Sequence, residues 1–171
     1  MIKADLQWLS HVLETPIEKA SVEQKRQLVA QISTDSRTIT PGQVFLALKG
    51  PNFDGHKFVQ QVADKGAVAV VVETLLPVDI PQLVVSDTLK ALGQLGAAVA
   101  RSVNAKTIAI TGSVGKTSVK EMCAAILALK GKVLATAGNF NNEIGVPLTL
   151  LRLEPEHEYA VIELGANHIG E

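Results

Sequence analysis

Between Thr107 and Leu129 the chain passes from a β-branched apolar run (Thr107 to Ile110) through Thr111-Gly112-Ser113-Val114-Gly115-Lys116-Thr117-Ser118 into a segment of helical character (Lys116 to Leu129). No other feature limits the fold as much as a strand that turns on glycines into a helix with a lysine and a hydroxyl at its head. Such a turn lets backbone N–H groups curl around an anion, and the unpaired N–H groups of a helix head carry positive partial charge. Lys116 adds a full charge suited to the β and γ phosphates of ATP, and Thr117 a hydroxyl suited to Mg²⁺. The common phosphate loop has a glycine where this chain has Ile110, so the pattern is the compact GxxGK[ST][ST]. Gly112, Ser113, Val114, Gly115, Lys116, Thr117 and Ser118 are therefore candidate ATP-binding residues. The competing reading is a glycine-rich strand-to-helix turn with an incidental lysine.

Past the helix the strand-and-helix alternation continues. A strand is expected at Lys132 to Leu134, then a Gly/Asn loop, a short helix near Pro147 to Leu153, and a strand at Tyr159 to Leu164. Alternation of this kind predicts a mostly parallel, doubly wound sheet with right-handed crossovers. In a parallel sheet the C-terminal strand ends share one edge, which would bring Glu163 beside the glycine turn. Its carboxylate could then hold Mg²⁺ with Thr117; the competing reading is an ordinary solvated glutamate. Three parallel strands with few helices would leave apolar sheet uncovered, so residues 105–171 read as the first part of a larger ATPase domain.

The region before it reads as a small α/β domain, residues 1–104, ending at the polar spot near Asn104. Leu6, Leu9 and Leu13 fall at helical spacing. Strands are expected at Leu28 to Ser33, Val44 to Leu48, Val68 to Val72 and Leu83 to Val85. Helices are expected at Phe58 to Lys65 and from Asp87 or Thr88 to about Ser102. With 47% hydrophobic and only 4% aromatic residues, the composition suits buried parallel strands under helices. A net charge of -1 offers no basic surface for nucleic acid or for a membrane. The single cysteine, Cys123, excludes an internal disulfide and is expected to be buried packing, with Trp8 and Tyr159 in the core. His11 and His157 need no role. The N-terminus is no signal peptide, and the apolar run Ala67 to Val72 is too short to cross a bilayer, so the cytoplasm is the expected location.

Five stretches together resemble the Mur ligase family: Ile32 to Arg37 (ISTDSR), Val44 to Phe58 (VFLALKGPNFDGHKF), Thr111 to Met122 (TGSVGKTSVKEM), Ala137 to Leu151 (AGNFNNEIGVPLTLL) and Val161 to Glu171 (VIELGANHIGE). The last is similar to the branch of that family that adds D-alanyl-D-alanine. The resemblance implies an enzyme of peptidoglycan synthesis, serving cell-wall biogenesis, cell shape and division. Such an enzyme uses ATP and Mg²⁺ to join D-alanyl-D-alanine to UDP-MurNAc-tripeptide through an acyl phosphate. It implies catalytic roles for Lys116 and Glu163, and metal contacts from Thr117 and Glu163. It also implies a nucleotide-sugar-binding first domain, with Ser33, Asp35, Ser36, Arg37, Lys49, Gly50, Asp54 and His56 shaping the UDP pocket. Asn141 and Asn142 would face the substrate, the competing reading being a turn stabilised by their side-chain amides; His168, a loop residue, could contact substrate or metal, or serve a structural polar role. Family members continue beyond residue 171 with further catalytic parts, so this polypeptide is expected to lack ligase activity alone, and to be monomeric. The alternatives are another phosphate-loop enzyme, such as a sister amide ligase or a small-molecule kinase, or a fragment acting only as a UDP-sugar-binding module.

Overall fold

A computed structural model describes residues 2–165. The chain forms two compact units, Lys3–Leu95 and Gly96 onward.

The first unit opens with β1 (Ala4–Asp5), α1 (Leu6–Leu13), β2 (Ile17–Glu18), α2 (Val22–Lys25), β3 (Leu28–Val29) and β4 (Gln31–Ser33). It continues with β5 (Gln43–Leu46), a hairpin of β6 (Lys49–Gly50) and β7 (Phe53–Asp54), a 3₁₀ turn at Gly55–Phe58, α3 (Val59–Asp64), β8 (Ala69–Val72) and β9 (Gln82–Val84). Its main sheet has the order β2-β9-β8-β5-β4, parallel except where β2 meets β9. The central strands are apolar on both faces, as the unbroken runs predicted. Phe45, Val70 and Val72 join Ile39, Val59, Val62 and Ile80 in one cluster. Val44, Leu46, Val71 and Leu83, alternate along the same strands and also fully buried, serve the opposite face. Each such side chain contributes roughly 1.5–3 kcal/mol. The expected strand through Leu48 stops at Leu46, because Lys49–Gly50 pairs antiparallel with Phe53–Asp54 instead. Pro51-Asn52 forms the hairpin turn.

A fifteen-residue helix, α4 (Thr88–Ser102), runs through the point where the two units divide. The division into compact units thus falls inside this helix, between Leu95 and Gly96. The second unit then shows the expected alternation: β10 (Lys106–Ile110), α5 (Lys116–Ala128), β11 (Val133–Ala135), α6 (Gly145–Leu150) and β12 (Tyr159–Glu163). All its strand pairs are parallel, in the order β10-β12-β11. Both connections cross over a helix, and the last strand lands between the first two, directly below the head of α5. Cys123, Trp8 and Tyr159 are half-buried and not core residues. No helix among the described residues is long and apolar enough to cross a membrane.

Candidate functional site

The head of α5 is shaped by two glycines. Gly112 (φ 147) and Gly115 (φ 79) hold left-handed backbone that a side chain would strain. Gly115 is the helix cap and gives no side-chain bond to the first N–H groups of α5. Those N–H groups are what an anion would meet. Thr111 to Gly115 are solvent-exposed, with Val114 at 90%, so nothing in the described unit closes the space over the turn. The Lys116 ammonium folds back to donate to the Gly112 carbonyl at 2.8 Å, at the rim of the same turn.

β12 delivers Glu163 to this place, as the sheet argument required. Its carboxylate is 2% exposed. Oε2 accepts from the Thr117 hydroxyl at 3.1 Å, and Oε1 accepts from the Asn141 side-chain amide at 2.9 Å. The solvated-glutamate reading therefore does not describe it. Behind the carboxylate, the Glu163 N–H donates to Thr136 Oγ1 at 2.9 Å, and the Lys120 ammonium donates to the Thr136 carbonyl at 2.8 Å.

The donor set suits a hard cation. Thr117 Oγ1 and Glu163 Oε2 stand 3.1 Å apart, close to the roughly 3 Å between neighbouring ligands of an octahedron whose bonds are about 2.1 Å. Among the described residues no group of three or more His, Cys, Asp or Glu could hold a metal by itself. A cation here would complete its shell with water or phosphate oxygens.

Asn141 and Asn142 part company. Asn141 turns to Glu163, and its carbonyl accepts from the Gly165 N–H at 2.7 Å. Asn142 Oδ1 accepts from the N–H of Gly145, the first residue of α6, at 2.8 Å. Both line a largely apolar cavity of about 340 Å³ together with Thr111, Val146, Pro147 and Leu164. His168 lies outside the described residues.

A second candidate site is in the first unit. Arg37 grips Asp35 with two guanidinium bonds of 2.9 and 2.7 Å, while its own N–H donates to Asp35 Oδ1 at 2.9 Å. These bonds hold the Asp35 carboxyl down at about 2 and raise Arg37. The Arg37 side chain is nevertheless 85% exposed, so part of its fork faces outward. Ser33 accepts from the Asp35 N–H through its hydroxyl, and Ser36 is buried, its carbonyl accepting from Lys65. A cavity of about 510 Å³ lies beside this turn, lined by Thr34, Asp35, Ser36, Arg37, Phe53, Phe58 and Gln61. The Phe53 and Phe58 rings stack at 5.9 Å. Sequence reading missed both, although they bracket the Asp54-Gly55-His56 turn.

Lys49 and Gly50 are exposed on the hairpin. Asp54 and His56 are turned toward the protein itself. His56 Nδ1 meets Asp54 Oδ1 at 2.7 Å, and Nε2 accepts from the Glu73 N–H at 2.8 Å. With Nε2 an acceptor, Nδ1 carries the proton and the ring is neutral. The bonds from His56 lower the Asp54 carboxyl. Neither residue lines that cavity, and these bonds leave no ring nitrogen of His56 free for a ligand. His157, given no role, is buried and accepts from the Glu154 N–H at 3.0 Å.

Comparison with known proteins gives a consistent answer. Residues 28–133 match the model of the Mur ligase family catalytic domain, and residues 110–171 that of the Mur ligase middle domain. The chain is 52% identical to the UDP-N-acetylmuramoyl-tripeptide–D-alanyl-D-alanine ligase of Escherichia coli (strain K12) over 171 residues, covering 100% of this chain and 37% of that protein. Among solved structures it superposes on UDP-N-acetylmuramoylalanyl-D-glutamyl-2,6-diaminopimelate–D-alanyl-D-alanyl ligase from Acinetobacter baumannii with a TM-score of 0.93 and 46% identity, over 99% of this chain and 38% of that one. The MurF ligase from Thermotoga maritima in complex with ADP gives 0.71 and 32%, over 78% of this chain and 31% of that one. The chain thus spans under two fifths of the length of these proteins.

Proposed function

The chain belongs to the Mur ligase family, and from that premise we propose that it is the N-terminal part of an ATP-dependent, cytoplasmic ligase that joins D-alanyl-D-alanine to UDP-MurNAc-tripeptide. One observation carries the reading: the buried Glu163 carboxylate stands 3.1 Å from the Thr117 hydroxyl at the open head of α5. That arrangement unites an anion site with an oxygen pair fit for Mg²⁺.

In this reading the N–H groups of Gly112 to Ser118 cradle the ATP phosphates, and Lys116 moves from the Gly112 carbonyl onto the transferring group. Thr117 and Glu163 would hold Mg²⁺, which would supply positive charge against the phosphates. The substrate carboxylate attacks the γ-phosphorus and ADP leaves, giving an acyl phosphate. The amine of D-alanyl-D-alanine then attacks the acyl carbon, and phosphate departs as the amide forms. A carboxylate is a poor electrophile, so a phosphate leaving group removes the main obstacle. Asn141 keeps the Glu163 carboxylate oriented. Asn142 lines the adjoining cavity, where the peptide end of the substrate would lie.

The turn around Asp35 and Arg37 would receive the UDP group. The outward part of the Arg37 fork suits a diphosphate, and the stacked Phe53 and Phe58 rings give a flat apolar wall. Two 1:1 titrations test the reading, one of Mg·ATP and one of UDP-MurNAc-tripeptide. Binding of the sugar nucleotide without ATP would leave only a UDP-sugar-binding module, and the reverse would favour another phosphate-loop enzyme. Turnover with all three substrates is expected to be absent for this polypeptide, and product above background would contradict that part.

A further inference from the structure

We propose that Lys120 is a positioning residue for the Glu163 carboxylate, and so sets how much a divalent cation strengthens nucleotide binding at the head of α5. The inference rests on the nucleotide reading above and adds to it a residue outside the glycine turn.

Lys120 is 1% exposed. Lysines normally keep the ammonium in water, and burying one is costly unless its donors are matched. Its position explains where it goes. Lys120 comes four residues after Lys116 and three after Thr117, so it lies on the same side of α5, one turn deeper. There its Nζ donates to the Thr136 carbonyl at 2.8 Å and meets Glu121 Oε1 at 2.9 Å. Glu121 is 68% exposed, so that contact is screened and weak. The bond to Thr136 is the buried one.

Thr136, just past the end of β11 and 2% exposed, is fixed at three points. Its N–H donates to the Val161 carbonyl at 3.0 Å, its carbonyl accepts from Lys120, and its hydroxyl accepts from the Glu163 N–H at 2.9 Å. An unbroken path thus runs from α5 through Thr136 to the backbone of Glu163. The same helix carries Thr117, which meets the Glu163 carboxylate from the other side. Lys120 ties the helix and the strand end together, and their spacing decides whether the two oxygens can share one cation. Partners behind a metal ligand often matter nearly as much as the ligand.

Three variants separate positioning from simple packing. Lys120→Met keeps the apolar stem and removes the charge. Thr136→Val keeps the shape and removes the hydroxyl under Glu163, while Thr136→Ser retains that hydroxyl. Calorimetric titration with ADP, once in MgCl₂ and once in EDTA, gives the factor by which Mg²⁺ strengthens binding. That factor is expected to fall about 10- to 100-fold in Lys120→Met and Thr136→Val. Thr136→Ser is expected to keep it, and ADP affinity in EDTA to stay within roughly twofold in all three, since the glycine turn is untouched. If Lys120→Met fails to fold, Thr136→Val decides. Unchanged factors, or equal losses with and without Mg²⁺, would overturn the positioning role and leave the nucleotide reading standing. Wild-type binding of ADP that ignores Mg²⁺ would do the same. No binding of ADP by the wild type would remove both.

Discussion

Lys116 and Lys120 are the same residue type on one face of one helix, yet their environments call for different tests. Lys116 makes an exposed bond to the Gly112 carbonyl, so Lys116→Ala is expected to leave the unfolding free energy within about 0.5 kcal/mol. The same change removes a charged contact to phosphate, a loss of about 1.5–3 kcal/mol, or roughly 10- to 100-fold in the calorimetric affinity for Mg·ADP. Unaltered affinity would show that the helix head holds no nucleotide. Asp35 offers a test by pH. Its carboxyl is lowered from its ordinary 3.8 to about 2 by the bonds from Arg37. A lowered carboxyl stabilises the fold above its unfolded value, and that contribution disappears as the pH falls from 3.8 through about 2. Carbon-13 NMR should therefore find the Asp35 midpoint near 2, returning toward 3.8 in Arg37→Ala. A wild-type midpoint at the ordinary value would mean that the pair does not persist in solution. The meeting of Thr117 and Glu163 was legible in the sequence because motif spacing and parallel topology fix them together. Lys120 was not, since a lysine in a helix reads as solvated until the opposing strand end is known. Asn141 could be assigned to a loop, but its bond to Glu163 depends on how residues 137–145 fold back.

At the level of single elements, α4 contains a contrast that its sequence hides. Gly93 and Gly96 both interrupt the helix Thr88–Ser102, and by propensity alone either would gain about 1 kcal/mol on conversion to alanine. A Cβ on Gly93 would meet nothing within 4 Å, whereas one on Gly96 would come within 3.0 Å of the Pro147 Cα in α6. Backbone cannot yield as a side-chain tip does, and overpacking costs about 1–3 kcal/mol. Gly93→Ala should therefore raise the urea midpoint and Gly96→Ala lower it. Equal shifts of the same sign would show that α4 and α6 do not pack this closely. The longer helices were readable from apolar spacing and caps, whereas the four-residue α2 was not. The short pairs β1–β3, β2–β9 and β6–β7 were not, because two residues carry no periodicity and their partners are distant or set by a turn.

For the molecule as a whole, the two units differ in how completely their sheets are enclosed. β5 and β8 of the first are buried along nearly their full length, as unbroken apolar runs announced. β10 of the second is an edge strand among the described residues and largely exposed, with Ile108 at 39%. Its β-branched sequence resembles that of a buried strand, so exposure could not be read from it; enclosure depends on what lies against a strand, not on the strand's own residues. Register turns this into a prediction with a built-in control. The Lys106 N–H donates to the Glu158 carbonyl, and the Leu164 N–H to the Ile110 carbonyl. Those two bonds fix the even-numbered residues of β10 toward β12, and the twofold period of a strand turns the N–H groups of Thr107 and Ala109 to the open edge. Amide hydrogen exchange should therefore alternate along one strand. Ile108 and Ile110 should exchange roughly 100-fold or more slowly than Thr107 and Ala109, and the amides of Val70 and Val72 in β8 more slowly still. Uniform protection from Thr107 through Ile110 would mean that another strand pairs with this edge, for example from a second copy of the chain. Uniformly fast exchange would mean that the β10–β12 pairing itself is not stable.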